Sequence, residues 1–327
     1  MILCNNLNID TDIISDIILD VIANELQLEG RLKMNHTKRL IIGVLFIFII
    51  GLTGCSSNTA EISGKTDKLI AAVSILPQKT FVKAVAGDLI DVVTMIPPGN
   101  SPTNYQPSPK EMEDFSKSSV YFTIGVAAEK AYILPKARDL NSNIKIIDLA
   151  QEVGKVYPHR YFGNGGERDP HIWLSPKRVK VMIEVIAKEL GNLDPKNKEV
   201  YRKNAENYIK RLEAVDLEIK QILNEVENRA FIIYHPALGY FAEDYNLQMI
   251  PVEKEGKKAT PKELQKIIDI AKEKNIKVVF YQEEIDTTQS QTLAEELGGI
   301  TQKIAPLAPN YIENLKEIAV ALKKAMQ

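Results

Sequence analysis

From Lys68 onward, short apolar runs rich in β-branched residues alternate with longer stretches in which apolar positions recur every three or four residues. Leu69 to Ile75, Ile90 to Ile96, Val120 to Ile124 and Lys145 to Ile147 have the length and composition of buried strands. Gly87 stops the first intervening helix, Gln78 to Ala86, and Ser108-Pro109-Lys110-Glu111 opens the second with a capping box and Pro at the first helical position. Ser175-Pro176 opens another, with Val179, Ile183, Ile186 and Leu190 on one face and Gly191 after it. The alternation returns in Phe231 to Tyr234, Met249 to Val252, Val278 to Tyr281 and Ile300 to Ile304. Helices follow Thr260-Pro261-Lys262-Glu263 and Asp286, and a last one runs from Tyr311 to the end. Strand and helix in strict alternation predict parallel sheets covered by helices.

Between the two series lies the longest periodic stretch, Asp194 to Glu227, opened by an N-cap residue and a proline. Tyr201, Ala205, Tyr208, Leu212, Val215, Ile219, Ile222 and Val226 fall on one face, with Lys, Arg, Glu and Asn on the others. A dimeric coiled coil would use a similar stripe, but Tyr and Ala alternating on the seam favour packing against the chain's own lobes. The pattern therefore predicts an α/β fold: two four-stranded α/β lobes joined by one long backbone helix, with a ligand cleft between the lobes at the carboxyl ends of the strands. In residue numbers, the lobes are 68–193 and 229–327 and the linking helix is 194–228.

The N-terminus reads as a targeting region. Met34 to Arg39 is basic, Leu40 to Leu52 is an apolar run of 13 residues, and Leu52-Thr53-Gly54-Cys55 follows. That layout is a signal peptide over 34–54, too short for a comfortable membrane span. Small residues before Cys55 point to cleavage and acylation of that thiol; the alternative is an uncleaved anchor. Residues 1–33 carry Asp10, Asp12, Asp16, Asp20, Glu25 and Glu29 where a signal should be basic, and read as a non-native or upstream extension, with translation starting at Met34. Residues 55–67, small and polar, read as a tether.

Composition narrows the function. In 327 residues, 45% hydrophobic and 26% charged, there is room for two real cores. The balance of 41 Lys and Arg against 43 Asp and Glu provides no basic field, so nucleic acid is not an expected partner. Cys4 and Cys55 are the only cysteines, so the exported part has no structural disulfide.

Candidate chemistry lies just after strands. His171 stands in Asp169-Pro170-His171-Ile172-Trp173-Leu174-Ser175-Pro176, and His235 directly follows a strand in His235-Pro236-Ala237-Leu238-Gly239-Tyr240-Phe241. A neutral imidazole there suits zinc or manganese, although each histidine taken singly is more commonly a structural hydrogen-bonding residue. Glu129, after Val120 to Ile124, and Glu283 and Glu284, after Val278 to Tyr281, are carboxylates that could complete a metal site; the alternative for each is a helix-start acid facing the dipole. His159 reads as a surface residue. No His-Glu-x-x-His, nucleophile elbow or phosphate-binding glycine loop occurs, so an enzyme is not expected.

Four features together, namely Pro97-Pro98-Gly99-Asn100-Ser101-Pro102, Asp-Pro-His-x-Trp, His-Pro-x-x-Gly-Tyr-Phe and the long helix, resemble the zinc/manganese solute-binding lipoproteins of ABC importers, the ZnuA/TroA group. The resemblance runs from Lys68 to the C-terminus. It implies a monomeric extracytoplasmic protein, lipid-anchored to the membrane, that captures zinc or manganese in the interlobe cleft and hands it to an ABC permease with only small lobe movements. His171 and His235 match two of the usual four ligand positions. The other two depart: Thr103 stands where the family has histidine, with Gln106 for the downstream glutamate, and Ala305 stands where an aspartate often precedes Pro-Leu. The departures leave open a metal-free interaction or adhesion lipoprotein, or a binder of another small ligand on the same fold.

Overall fold

Among the described residues, eight strands of four residues each form two separate, wholly parallel sheets. The structure is a computed structural model that describes residues 68–163, 166–253, 256–285 and 288–327, so the expectations for the extension, the signal peptide, Cys55 and the tether fall outside the described residues. In the first sheet β1 (Ile70–Val73), β2 (Asp91–Thr94), β3 (Val120–Thr123) and β4 (Lys145–Asp148) are ordered β2-β1-β3-β4. In the second, β5 (Ala230–Ile233), β6 (Gln248–Pro251), β7 (Val278–Tyr281) and β8 (Ile300–Lys303) are ordered β6-β5-β7-β8. Both sheets change winding direction at the same place, between β1 and β3 and between β5 and β7. Such switch points open a crevice outside the carboxyl ends of the central strands.

The helices fill the connections. They are α1 (Leu76–Ala86), α2 (Pro109–Ser116), α3 (Leu134–Leu140), α4 (Leu149–Gly154) and α5 (Pro176–Leu193), then α6 (Lys198–Asn224), and α7 (Gly239–Asp244), α8 (Pro261–Glu273), α9 (Thr288–Glu296) and α10 (Tyr311–Met326). α1 begins two residues before the sequence predicts because Gln78 turns back to cap it. Its Oε1 accepts from the amides of Ser74 and Ile75 at 3.0 and 3.2 Å, while its Nε2 donates to the Phe122 carbonyl. α2 and α8 open on true capping boxes, Ser108 with Glu111 and Thr260 with Glu263.

The long helix α6 spans about 40 Å at 1.5 Å per residue. It starts four residues later than Asp194. A 3-10 turn, Pro195–Asn197, comes first, and the Asp194 carboxylate accepts from Asn197 Nδ2 and Tyr201 Oη instead of capping amides. Its buried face is Tyr201, Ala205, Tyr208, Leu212, Val215, Ile219 and Leu223. It packs on α1 and α5 of the first half and on α10 of the second. One hydrophobic core consequently runs through both halves, from Phe81 and Trp173 past Tyr201 and Ile219 to Phe231 and Leu315. The outer face of each sheet has a smaller core of its own.

A buried ion cluster also ties the halves. Arg178 on α5, 1% exposed, donates to Asp244 Oδ1 and Glu243 Oε1 of α7, both at 2.8 Å, and to the Pro158 carbonyl. Lys177 and the Ser175 hydroxyl also reach Asp244. Arg178 and Asp244 are its buried members, and breaking a buried pair of this kind costs about 3–5 kcal/mol.

Candidate functional site

The crevice is a cleft of about 850 Å³, lined from both halves by Thr103, Lys130, Arg168, His171, His235 and Gln282, among others. His235 is the second residue after β5 and is delivered by the strand itself: the preceding amide, Tyr234 N–H, still bonds to Phe280 O of β7. His171 ends the loop that descends from the first half. The Asp169 carboxylate accepts from the His171 amide at 2.9 Å and from its ring Nδ1 at 2.8 Å, so one acid fixes both backbone and ring. The Trp173 ring lies 5.2 Å from the His171 ring, held by its Nε1–H bond to Pro306 O and by Tyr311 Oη on its own carbonyl.

On the other side, His235 Nδ1 faces both oxygens of Glu253 at 3.2 and 3.3 Å. Glu253 follows β6, and its amide continues the sheet by donating to Tyr234 O. Both rings are nearly buried, at 7% and 8% exposure. Burial holds His171 below the ordinary imidazole value, against Asp169, which favours the charged ring.

The hydrogen bonds decide the tautomers. A carboxylate only accepts, so each Nδ1 donates, and in a neutral ring Nε2 is then the nitrogen with the lone pair. The two Nε2 atoms face each other at 3.1 Å. Two lone pairs at that distance repel unless a cation or a shared proton lies between them. On tetrahedral zinc with Zn–N bonds of roughly 2.05 Å, two nitrogens stand roughly 3.3 Å apart. The observed separation is close to that spacing, so the pair could hold one ion between them, and the carboxylates behind them stand where an outer shell commonly orients metal-binding histidines.

The sequence-derived carboxylates lie elsewhere. Glu129 is wholly buried and accepts from the Ile124 and Gly125 amides at 2.8 and 2.6 Å and from the Ser74 hydroxyl, tying β1 to the end of β3; it does not line the cleft. Burial pushes its carboxyl up to about 7 despite these three donors. Glu283 is exposed and paired with Lys303, and neither it nor Glu284 lines the cleft. Thr103 does line it, whereas Ala305 does not, its carbonyl being taken by Asn314 Nδ2. His159, expected on the surface, is part-buried over Gly154, where any Cβ would lie 2.5 Å from its Nε2. Among the described residues no group of three or more His, Cys, Asp and Glu side chains converges on one point.

Sequence reasoning missed Asp169 and Glu253. Asp169 was legible two residues before His171, in a motif already noted, whereas Glu253 had no signal: it is 18 residues from its partner and is brought there by strand pairing.

Two lobes of parallel α/β structure around a cleft that presents donor atoms define a solute-binding protein. Residues 72–325 match the family described as zinc-uptake complex component A, periplasmic (ZnuA), and the chain belongs to that family. The high-affinity zinc uptake system protein ZnuA of Bacillus subtilis (strain 168) is 28% identical over 307 residues, 88% of this chain and 96% of that protein. The iron ABC transporter substrate-binding lipoprotein MtsA of Streptococcus pyogenes serotype M1 is 31% identical, over 81% of this chain and 87% of that protein. A crystal structure of a ZnuA superposes with a TM-score of 0.76 at 38% identity, covering 80% of this chain and all of that one.

Proposed function

We propose that the chain is the extracytoplasmic substrate-binding component of an ABC importer, capturing a divalent transition metal between His171 and His235 and delivering it to a membrane permease. The observation that carries this reading is the pair of Nε2 atoms, 3.1 Å apart in the cleft, with a carboxylate on the Nδ1 of each ring. Neutral imidazoles favour zinc over manganese, which prefers oxygen ligands, so zinc is the first candidate and manganese the next. The chain performs no chemistry on its cargo; it works as a monomer in which α6 restricts the lobes to small movements. It is held at the membrane surface by a lipid on Cys55. Among the described residues no helix is long and apolar enough to cross a membrane.

Deleting the gene should lower uptake of one transition metal at limiting supply, and the wild-type chain, but not His235→Ala, should restore it. Unchanged uptake of zinc, manganese and iron would sink the transport reading. It would favour a second one, an interaction lipoprotein or a binder of another ligand, to which Thr103 and Ala305 at two family ligand positions already point. For the anchor, Cys55→Ser should change the mature mass and release the folded part from membranes; an unchanged mass and fractionation would exclude acylation there.

A further inference from the structure

Beyond the two imidazoles, the wall of the cleft is dominated by positive charge. Among the described residues, Lys130, Arg168 and Lys257 line it against one acid, Glu167. No ion pair holds any of the three cations among the described residues. Asp169 and Glu253 stand behind the histidines, and Asp169 is already shared with Arg160 Nε at 3.6 Å, so neither acid is turned toward the wall cations.

Arg168 is built into place. Its Nη2 donates to Ile124 O at 3.1 Å across Gly125, whose φ of +87° and missing side chain make room: a Cβ there would lie 1.8 Å from Nη2. Its Nη1 is buried with no hydrogen-bond partner, a costly state for a guanidinium.

The donor set and the volume agree with the charge. Two nitrogens leave a four-coordinate ion two donors short. A cleft of about 850 Å³ is in the range that takes a small organic molecule and far exceeds an ion with a few waters at roughly 30 Å³ each.

Resting on the metal-binding reading above, we infer that the cargo is a chelate: a divalent metal ion already held by a small polycarboxylate. The anion supplies the missing oxygen donors while its free carboxylates pair with Arg168, Lys130 and Lys257. His171 and His235 take the remaining coordination positions on the ion.

Citrate serves as the probe, and its effect on zinc binding has opposite signs in the two cases. A receptor for the bare ion loses apparent zinc affinity when citrate is added, because citrate competes for the metal. A receptor for the chelate gains. Calorimetric titration of the purified protein with zinc, with citrate, and with both at equal concentration should show the pair bound at least tenfold more tightly than zinc alone. Arg168→Met and Lys130→Met should each weaken binding of the pair at least fivefold. Zinc binding weakened by citrate overturns the chelate and leaves the metal reading standing. Citrate binding equally well with and without zinc also overturns it, and absence of binding by zinc and by the pair alike removes both readings.

Discussion

Glu253→Gln isolates what the carboxylate behind His235 contributes. The substitution keeps the size of the side chain and an oxygen able to accept from Nδ1–H, and removes only the charge. With the carboxylate 3.2 Å from Nδ1, an ion on the far nitrogen lies roughly 7 Å from it. At an effective dielectric of roughly 20, one charge at that distance from a divalent ion contributes at most about 5 kcal/mol. Solvent in the cleft and the retained hydrogen bond reduce this, so the expected loss is the 10–100-fold typical of outer-shell changes, about 1.4–2.7 kcal/mol. Competition with a chromophoric chelator at neutral pH measures it, with circular dichroism confirming the fold. Glu283→Gln is the control: its partner is Lys303, outside the cleft, and zinc affinity should not move. If Glu253→Gln binds zinc as tightly as the wild type while His235→Ala does not, the carboxylate does not support the ring and the tautomer argument fails.

Thr103→His places a third nitrogen on the cleft wall and should tighten zinc binding at least tenfold, about 1.4 kcal/mol; an unchanged competition curve would mean that position 103 does not reach the ion. Glu129 predicts a pH effect on stability. Its folded value of about 7 lies above the ordinary 4.5, so the folded chain holds this proton more tightly than the unfolded one. The stabilisation is full below about pH 4.5 and is lost as pH rises through 7, up to about 3 kcal/mol. Urea denaturation at about pH 5 and pH 8 should show the wild type losing more stability between the two than Glu129→Gln, and equal losses would refute the assignment.

The strands were legible because a parallel strand covered on both faces is a continuous apolar run, as in Val120–Thr123 and Ala230–Ile233, where every residue is buried. The long helix was legible from period, except at its start. There Asp194 is a common N-cap type, but the Tyr201 hydroxyl competes for its carboxylate, and tertiary contact overrides a local rule. His171 and His235 stood out because each lies in a proline- and aromatic-framed loop within a few residues of an element. Glu129 and Glu283 satisfied the same positional rule and point elsewhere, since a residue just past a strand can turn inward to tie off backbone amides or outward to a surface lysine. Arg168 was invisible for a different reason. Its place depends on Gly125, and nothing in either local sequence says that one lies across the other.

The shared core and the buried Arg178 cluster make this molecule a poor ruler. If α6 restricts the lobes as proposed, fluorophores attached to the outer edges of the two sheets should hardly change their spacing on loading, and an energy-transfer sensor built that way should read almost flat. The chain carries a better meter of its own. Its single tryptophan, Trp173, sits 5.2 Å from the His171 ring, so cargo held at His171 as proposed should be readable as a change in intrinsic emission without any label.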